Sequence, residues 1–382
     1  MRITFVLAGG FNLSGGDRVI SIYAEKLMKR GHQVLVVASP AYPPTARKRL
    51  SALVREQRWL SNPVPGPSHF SHSPVPHVRL KKFRPIVDAD VPDADVVIST
   101  WWETAEWVNQ LSPKKGVKVC FLQHYEAFDY TPKKRVAATW RMPLHKVTIS
   151  NWLVDLAREK FDDTAVSLVY NSVDTEQFHA PPRERNRVPT VGMLYHEAPW
   201  KGVPISIAAL EQVRKQFPDL RLLTFGAMDV QQHTPLPSWA ENVVSPAQDK
   251  IKDIYAQCDV WLCGSTSEGF HLPPLEAMAC RTPVVSTRVG GPLDIVKDGV
   301  NGYVVPVGDA DGLADRVKRV LSLPPEGWRK MSDGAYATAT QYTWDDATDL
   351  FEAALQRAVE RDALGELGPR SRVGKLLALV GR

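Results

Sequence analysis

Short apolar runs alternate with amphipathic helical patterns along most of this 382-residue chain, and the alternation runs twice. Arg2–Ala8 is an apolar run suited to a strand buried on both faces, and Asp17–Arg30 then sets Ile20, Tyr23, Ala24, Leu27 and Met28 at helical spacing. Gly31-His32 stops that helix, and Gln33–Ala38 reads as a second strand. Further strand-like runs stand at Asp95–Ser99, Val117–Leu122, Lys146–Ser150 and Ser167–Tyr170. Ala180–Val188, polar and Pro-bearing, reads as a linker. Beyond it, strands are predicted at Thr190–Leu194, Leu220–Phe225, Val243–Ser245, Asp259–Gly264, Pro283–Ser286 and Gly302–Val305. Helices are predicted at Val203–Lys215, Pro273–Cys280, Pro292–Lys297 and Asp311–Leu321. Strand–helix alternation of this kind builds doubly wound parallel sheets. The expected architecture is therefore α/β with two Rossmann-like domains, residues 1–175 and 176–344. A long helical pattern, Trp344–Arg361, leads to a basic, apolar end, Arg370–Arg382. The last stretch, about 345–382, is expected to pack back on the first domain, with its final residues fraying or touching a membrane.

Composition narrows the function. With 44% hydrophobic and 23% charged residues, the chain can build sizeable cores. It holds no apolar run of 18 residues, so no membrane span is expected, and Met1–Gly10 is too short an apolar opening for a secretory signal. The expected location is cytoplasmic, or peripheral at the inner face of a membrane. Cys120, Cys258, Cys263 and Cys280 form no CxxC pair and accompany no histidine cluster, so they read as buried, reduced thiols. Net charge is +5 but uneven: residues 1–170 carry 24 Lys/Arg against 15 Asp/Glu, and the remainder 23 against 27. A basic first half suits an anionic membrane surface, an anionic acceptor or a phosphate-bearing ligand; no nucleic-acid motif accompanies it. Within that half, Thr45–Leu60 sets Leu50, Leu53, Val54 and Leu60 along one side, with Arg47, Lys48, Arg49, Arg55 and Arg58 around them. Two arrangements fit: a core-packed helix with a wet basic face, or a helix lying on an anionic surface or acceptor. Residues 61–92, rich in Pro, Ser and His, read as an irregular excursion with one strand near Val78–Leu80.

Chemistry concentrates in residues 259–306. The strand Asp259–Gly264 runs into the small-residue loop Ser265-Thr266-Ser267, then Glu268-Gly269 and Phe270-His271-Leu272. Pro273 and Pro274 open a helix, where proline is tolerated. Glu276 follows Glu268 by eight positions, so one acid lies on the strand-to-helix loop and the other on the helix. Both then sit near the carboxyl ends of the strands, where open α/β sheets bind ligands. The free N–H groups of a helix start suit a phosphate, and nearby carboxylates accept from sugar hydroxyls. By themselves the two acids would fit a loop cap and a surface helix residue.

In its whole context, EGFHLPPLEAMACRTPVV resembles the E-x7-E segment of the retaining glycosyltransferases of family 4, whose usual run has glycine where His271 and Arg281 stand here. The resemblance extends over most of the chain and implies the GT-B fold: two Rossmann-like domains facing a central cleft. It implies that Glu268 contacts hydroxyls of the donor sugar and Glu276 those of the nucleotide ribose. Backbone groups of Gly269, Phe270, His271 and Leu272 would meet sugar and phosphates. In VGMLYHEAPWKG, Lys201-Gly202 match the family's Lys-Gly, so Lys201 would hold the pyrophosphate and stabilise the leaving group. Met193 stands where the family has arginine; His196 or Arg18 is the candidate replacement cation. Asn171-Ser172-Val173-Asp174 with Phe178 resembles the family's hinge. Gly15 and Gly16 correspond to a loop facing the donor diphosphate, and glycines let backbone N–H groups approach phosphate. His124, after the strand Val117–Leu122, is the candidate contact to the transferred sugar, and Gln123 and Glu126 to the acceptor. Trp101 and Trp102 are candidate stacking faces for an acceptor sugar.

The implied activity is retaining hexosyl transfer from a nucleotide diphosphate sugar to a glycan, lipid-linked or small-molecule acceptor. No DxD-type motif lies in the key segment; Asp88-Ala89-Asp90 and Asp93-Ala94-Asp95 stand at a strand entrance, so neither metal nor other cofactor is expected. Competing classes are a sugar-nucleotide epimerase or phosphorylase of the same layout, a non-catalytic nucleotide-sugar-binding homologue, and a nicotinamide oxidoreductase. The last is disfavoured because GxGxxG is absent.

Overall fold

A computed structural model describes residues 1–367. The end predicted at Arg370–Arg382 lies outside the described residues. The chain divides into two compact units: Met1–Val169 together with the chain from Thr348, and Tyr170–Ala347.

Unit 1 runs β1 (Arg2–Leu7), α1 (Gly15–Lys29), β2 (Gln33–Ala38), α2 (Ala46–Glu56), β3 (His77–Arg79), β4 (Val96–Ser99), α3 (Trp102–Gln110), β5 (Val117–Leu122), α4 (Lys133–Thr139), β6 (His145–Thr148), α5 (Asn151–Phe161) and β7 (Ser167–Leu168). The sheet is parallel throughout, in the order β3-β2-β1-β4-β5-β6-β7. Its inner strands are buried along nearly their whole length, as helices on both faces require. Ser14 caps α1, its hydroxyl accepting from the Asp17 amide at 3.2 Å.

Unit 2 runs β8 (Thr190–Leu194), α6 (Val203–Arg214), β9 (Arg221–Gly226), β10 (Ala240–Val244), α7 (Ile251–Ala256), β11 (Val260–Cys263), α8 (Leu272–Ala279), β12 (Val284–Thr287), α9 (Pro292–Ile295), β13 (Gly302–Val305), α10 (Ala310–Leu321) and α11 (Pro325–Thr340). Its parallel sheet repeats the same winding, β10-β9-β8-β11-β12-β13. A final helix, α12 (Trp344–Ala363), carries the chain back to unit 1. There Phe351 stacks on Tyr23 at 4.3 Å and meets the Phe121 edge at 5.2 Å, while Glu352 pairs with His32 at 2.9 Å and Arg361 meets His145 at 3.0 Å.

Two expectations are corrected. Residues 180–188 are not a loose linker. Asn186 donates to Asp259 at 2.8 Å, Arg183 donates to Thr282 Oγ1 at 3.0 Å, and the Arg183 guanidinium covers Trp328 at 4.7 Å. The segment is stitched to unit 2 because Asp259 is wholly buried and its carboxylate takes amides from Asn186 and Thr190. The core-packed arrangement of the basic amphipathic helix fails as well. In α2, Leu50, Leu53 and Val54 are 62%, 45% and 73% exposed, and Ala52 alone of its apolar residues is buried. All four cysteines are buried and free.

Candidate active site

The site in unit 2 begins with two glycines. Gly202 (φ +62°) and Gly264 cross so closely that a Cβ on Gly202 would lie 1.8 Å from the Gly264 carbonyl, and one on Gly264 would lie 2.4 Å from Ser206 Oγ. This crossing brings Lys201 against the loop that leaves β11, where the Thr266 amide donates to the Trp200 carbonyl at 2.7 Å. Lys201 Nζ then reaches both carboxylate oxygens of Glu268, at 2.9 and 3.0 Å. Ser265 Oγ donates to Glu268 Oε1 at 2.8 Å, and His271 Nδ1 stands 3.3 Å from that oxygen. A small pocket lies beside this cluster, bordered by Met193, Leu194, Lys201, Ser265 and His271.

Burial would push the Glu268 carboxyl up, but His271, Lys201 and the Ser265 hydroxyl outweigh it and hold the group below its ordinary value. Burial pushes His271 down to about 4 against the pull of Glu268, with Lys201 adding to the depression. The ring is therefore neutral near pH 7. His271 also caps α8 in a left-handed conformation, φ +71° and ψ 81°, with Leu272 first in the helix and Pro273 and Pro274 inside its first turn. The loop is shaped from the far side by Gly290 and Gly291. The Gly291 amide donates to the Phe270 carbonyl at 2.7 Å, and a Cβ on Gly290 would lie 2.8 Å from the Gly269 carbonyl.

Glu276, in the second turn of α8, is buried, and its Oε2 accepts from the buried Tyr255 hydroxyl at 2.7 Å. His196 is half-buried close to Lys201, its Nδ1 accepting from the Ala198 amide at 2.9 Å. Burial and Lys201 both lower its proton affinity, against the pull of Glu197 and Glu268. Met193 lies in the core of β8.

In unit 1, Gly15 is exposed at the start of α1, and Gly16 receives Gln123 Nε2 on its carbonyl at 3.2 Å. His124 packs between the Phe128 ring at 4.8 Å and the Trp152 ring at 5.7 Å, with Nδ1 2.9 Å from the Tyr125 carbonyl. Trp101 is half-buried against Phe128. Two acceptor candidates are corrected. Trp102 is buried and its face is covered by the Arg135 guanidinium at 4.8 Å, which leaves no room for a sugar. Glu126 is buried, and its Oε2 takes the Trp102 amide at 2.6 Å, so it caps α3. Three of the acids at the strand entrance are committed to basic partners, Asp90 to Arg84, Asp93 to Lys115 and Asp95 to Arg2, and Asp88 accepts from the Ser112 amide at 2.9 Å. Among the described residues no group of three or more His, Cys, Asp or Glu side chains is arranged to hold a metal. No described helix is long and apolar enough to cross a membrane.

Ser265 and Tyr255 are the side chains that sequence reasoning missed. Ser265 had a signal, its place in the small-residue loop before Glu268; Tyr255 reaches Glu276 from another helix, across 21 positions, and had none.

Both units are parallel α/β sheets of one winding order, and the second holds a buried Lys–Glu pair at a strand–helix junction. Residues 13–177 match the family model described as Glycosyltransferase Family 4, and residues 185–322 the one described as Glycosyl transferases group 1. Together these matches span most of the chain, which belongs to the family-4-like glycosyltransferases of the GT-B fold. A phosphatidyl-myo-inositol mannosyltransferase of Mycobacterium leprae is 25% identical over 90% of this chain and 93% of its own. A D-inositol 3-phosphate glycosyltransferase of Mycobacterium avium is 42% identical over 25% of this chain, and the match spans only 22% of that protein. The Anabaena protein HepE, solved with UDP and glucose, superposes with a TM-score of 0.71 at 18% identity, covering 93% of this chain and 99% of that one.

Proposed function

We propose that the protein transfers a glycosyl group, with retention at the anomeric carbon, from a nucleoside diphosphate sugar to a hydroxyl of an anionic, inositol-bearing or lipid-linked acceptor. The observation that carries this reading is the buried Lys201–Glu268 pair at the start of α8, with Glu276 held on the same helix by Tyr255. Lys201 and the amides of that helix start stabilise the negative charge that grows on the departing diphosphate. Glu268 accepts from hydroxyls of the transferred sugar and Glu276 from those of the ribose. His124 is a further contact to the transferred sugar, and the acceptor proton passes to the departing phosphate oxygen on the same face. No divalent cation takes part. The names of the relatives support an inositol or inositol-phospholipid acceptor, and the HepE complex supports a uridine diphosphate donor.

The surface of α2 supports an anionic partner. Its exposed leucines lie among Arg47, Lys48, Arg49 and Arg55, with exposed Trp59 beyond, under the Arg49 guanidinium. Apolar side chains ringed by cations suit a headgroup layer of acidic lipid, so the protein works peripherally at the cytoplasmic face.

Incubation with labelled UDP-, GDP-, dTDP- and ADP-sugars tests the reaction. Slow release of nucleoside diphosphate, unaffected by EDTA and abolished in E268A, is expected, with an α-linked product from an α-linked donor. Epimerised donor, or silence with all four, would overturn it. Flotation with phosphatidylinositol vesicles at low salt tests the surface: wild type should float and L50D/V54D should not.

A further inference from the structure

His271 occupies a backbone conformation that glycine adopts freely and a residue with a Cβ adopts only uncommonly, at a position where the resemblance predicts glycine. Its ring is buried beside Glu268 rather than turned to solvent. With Nδ1 3.3 Å from a carboxylate oxygen, the hydrogen of the neutral ring must sit on Nδ1, because two facing lone pairs would repel. Nε2 is then the nitrogen open to a second proton. The charged and titratable groups about the ring are Glu268 and Lys201, and from the loop after β8 His196 and Glu197 face Lys201 in turn.

Lys201 bonds both oxygens of Glu268. Turning that ammonium to a diphosphate would strand a buried carboxylate, which is strongly unfavourable. We propose that His271 is the positioning residue that keeps Glu268 charged and in place when Lys201 turns to the diphosphate, by accepting a proton from solvent at Nε2 as the nucleotide binds. The resulting imidazolium lies against Glu268 Oε1 and replaces the departed ammonium. Loss of a neighbouring cation and arrival of an anion both raise the proton affinity of the ring, from about 4 toward neutrality. The inference rests on the donor-site reading above.

Calorimetric titration of the full chain with UDP, GDP, dTDP and ADP tests it, in paired buffers of different ionisation heat between pH 6.5 and 8. H271N and H271G are the comparison variants, since asparagine and glycine both accept the left-handed backbone; thermal melts establish that they fold. Wild type should take up protons on binding, with affinity rising by up to about tenfold per pH unit as the pH falls. Both variants should bind more weakly and lose that uptake, leaving only the titration of the nucleotide phosphate common to all three. Equal uptake in wild type and variants, or none in wild type, would overturn the proposal. Failure of all four nucleotides to bind wild type would instead remove the donor site itself, and this inference with it.

Discussion

Units 1 and 2 wind their sheets in the same order, yet Asp17 and Glu126 in the first shift oppositely to Glu268 in the second. In unit 1, Asp17 at the start of α1 is held by the Asn12 amide at 2.9 Å and by Ser14, and burial pushes it up to about 6. Glu126, capping α3, is pushed up by burial too, with only the Trp102 amide pulling against it. In unit 2, Glu268 is buried as deeply but lies against an ammonium, and its carboxyl is held below the ordinary value. The same winding thus holds Asp17 and Glu126 on backbone amides in one unit and Glu268 on an ammonium in the other. The difference is a matter of partner, not of burial, and function on a shared fold resides in such local chemistry.

The largest effect should come from K201A. It takes the ammonium away from buried Glu268 and leaves Ser265 and His271 beside the carboxylate, at a cost on the order of 3–5 kcal/mol in urea denaturation, and should lower donor turnover by roughly 10²–10³-fold. Adding E268Q should restore much of the stability and none of the turnover. A K201A chain as stable as wild type would break the contrast between the units. F351A removes the ring that α12 inserts among Tyr23 and Phe121, and should cost about 3–4 kcal/mol. A loss near zero would mean that α12 is not part of the core of unit 1.

The pH dependence carries the contrast most directly. Because the folded value of Asp17 lies above its unfolded one, its contribution to stability is full below about pH 4 and is lost as pH rises through about 6. D17N should therefore stabilise the protein above pH 6.5 by about 2–3 kcal/mol and change little at pH 4, as melting against pH will read. Glu268 has the opposite sign. Its contribution is present above the unfolded value near 4.5 and fades as pH falls through the lowered folded value, so E268Q should harm most at neutral pH. The smallest effect is expected from Y255F, which removes one hydrogen bond to Glu276 and should weaken nucleotide binding by about 1.5 kcal/mol, roughly tenfold, in calorimetry.

Much of the architecture is legible in the sequence. Strands β1, β2, β5, β8 and β13 stand within a residue of the apolar runs that announce them, because strands buried on both faces must be continuously apolar. Helix α11 was not announced, since Gly327, Gly334 and its polar residues dilute the pattern. Its buried Trp328, Met331, Ala335 and Ala339 nonetheless recur at helical spacing and were its available signal. In the site, the spacing of Glu268 and Glu276 and the place of Lys201 were readable, because a strand–loop–helix junction is a local object. The covering of Trp102 by Arg135 was not, because it joins two different helices.

Local hydrophobic period and turn chemistry fix the strand–helix alternation, the two windings and the two acids at one junction. Tertiary structure alone decided which charges meet. It set Lys201 on Glu268 through the Gly202–Gly264 crossing, enclosed Glu126 as a cap and left the leucines of α2 in water. Contacts between residues far apart in the chain depend on how elements pack, and no short window of sequence contains that information.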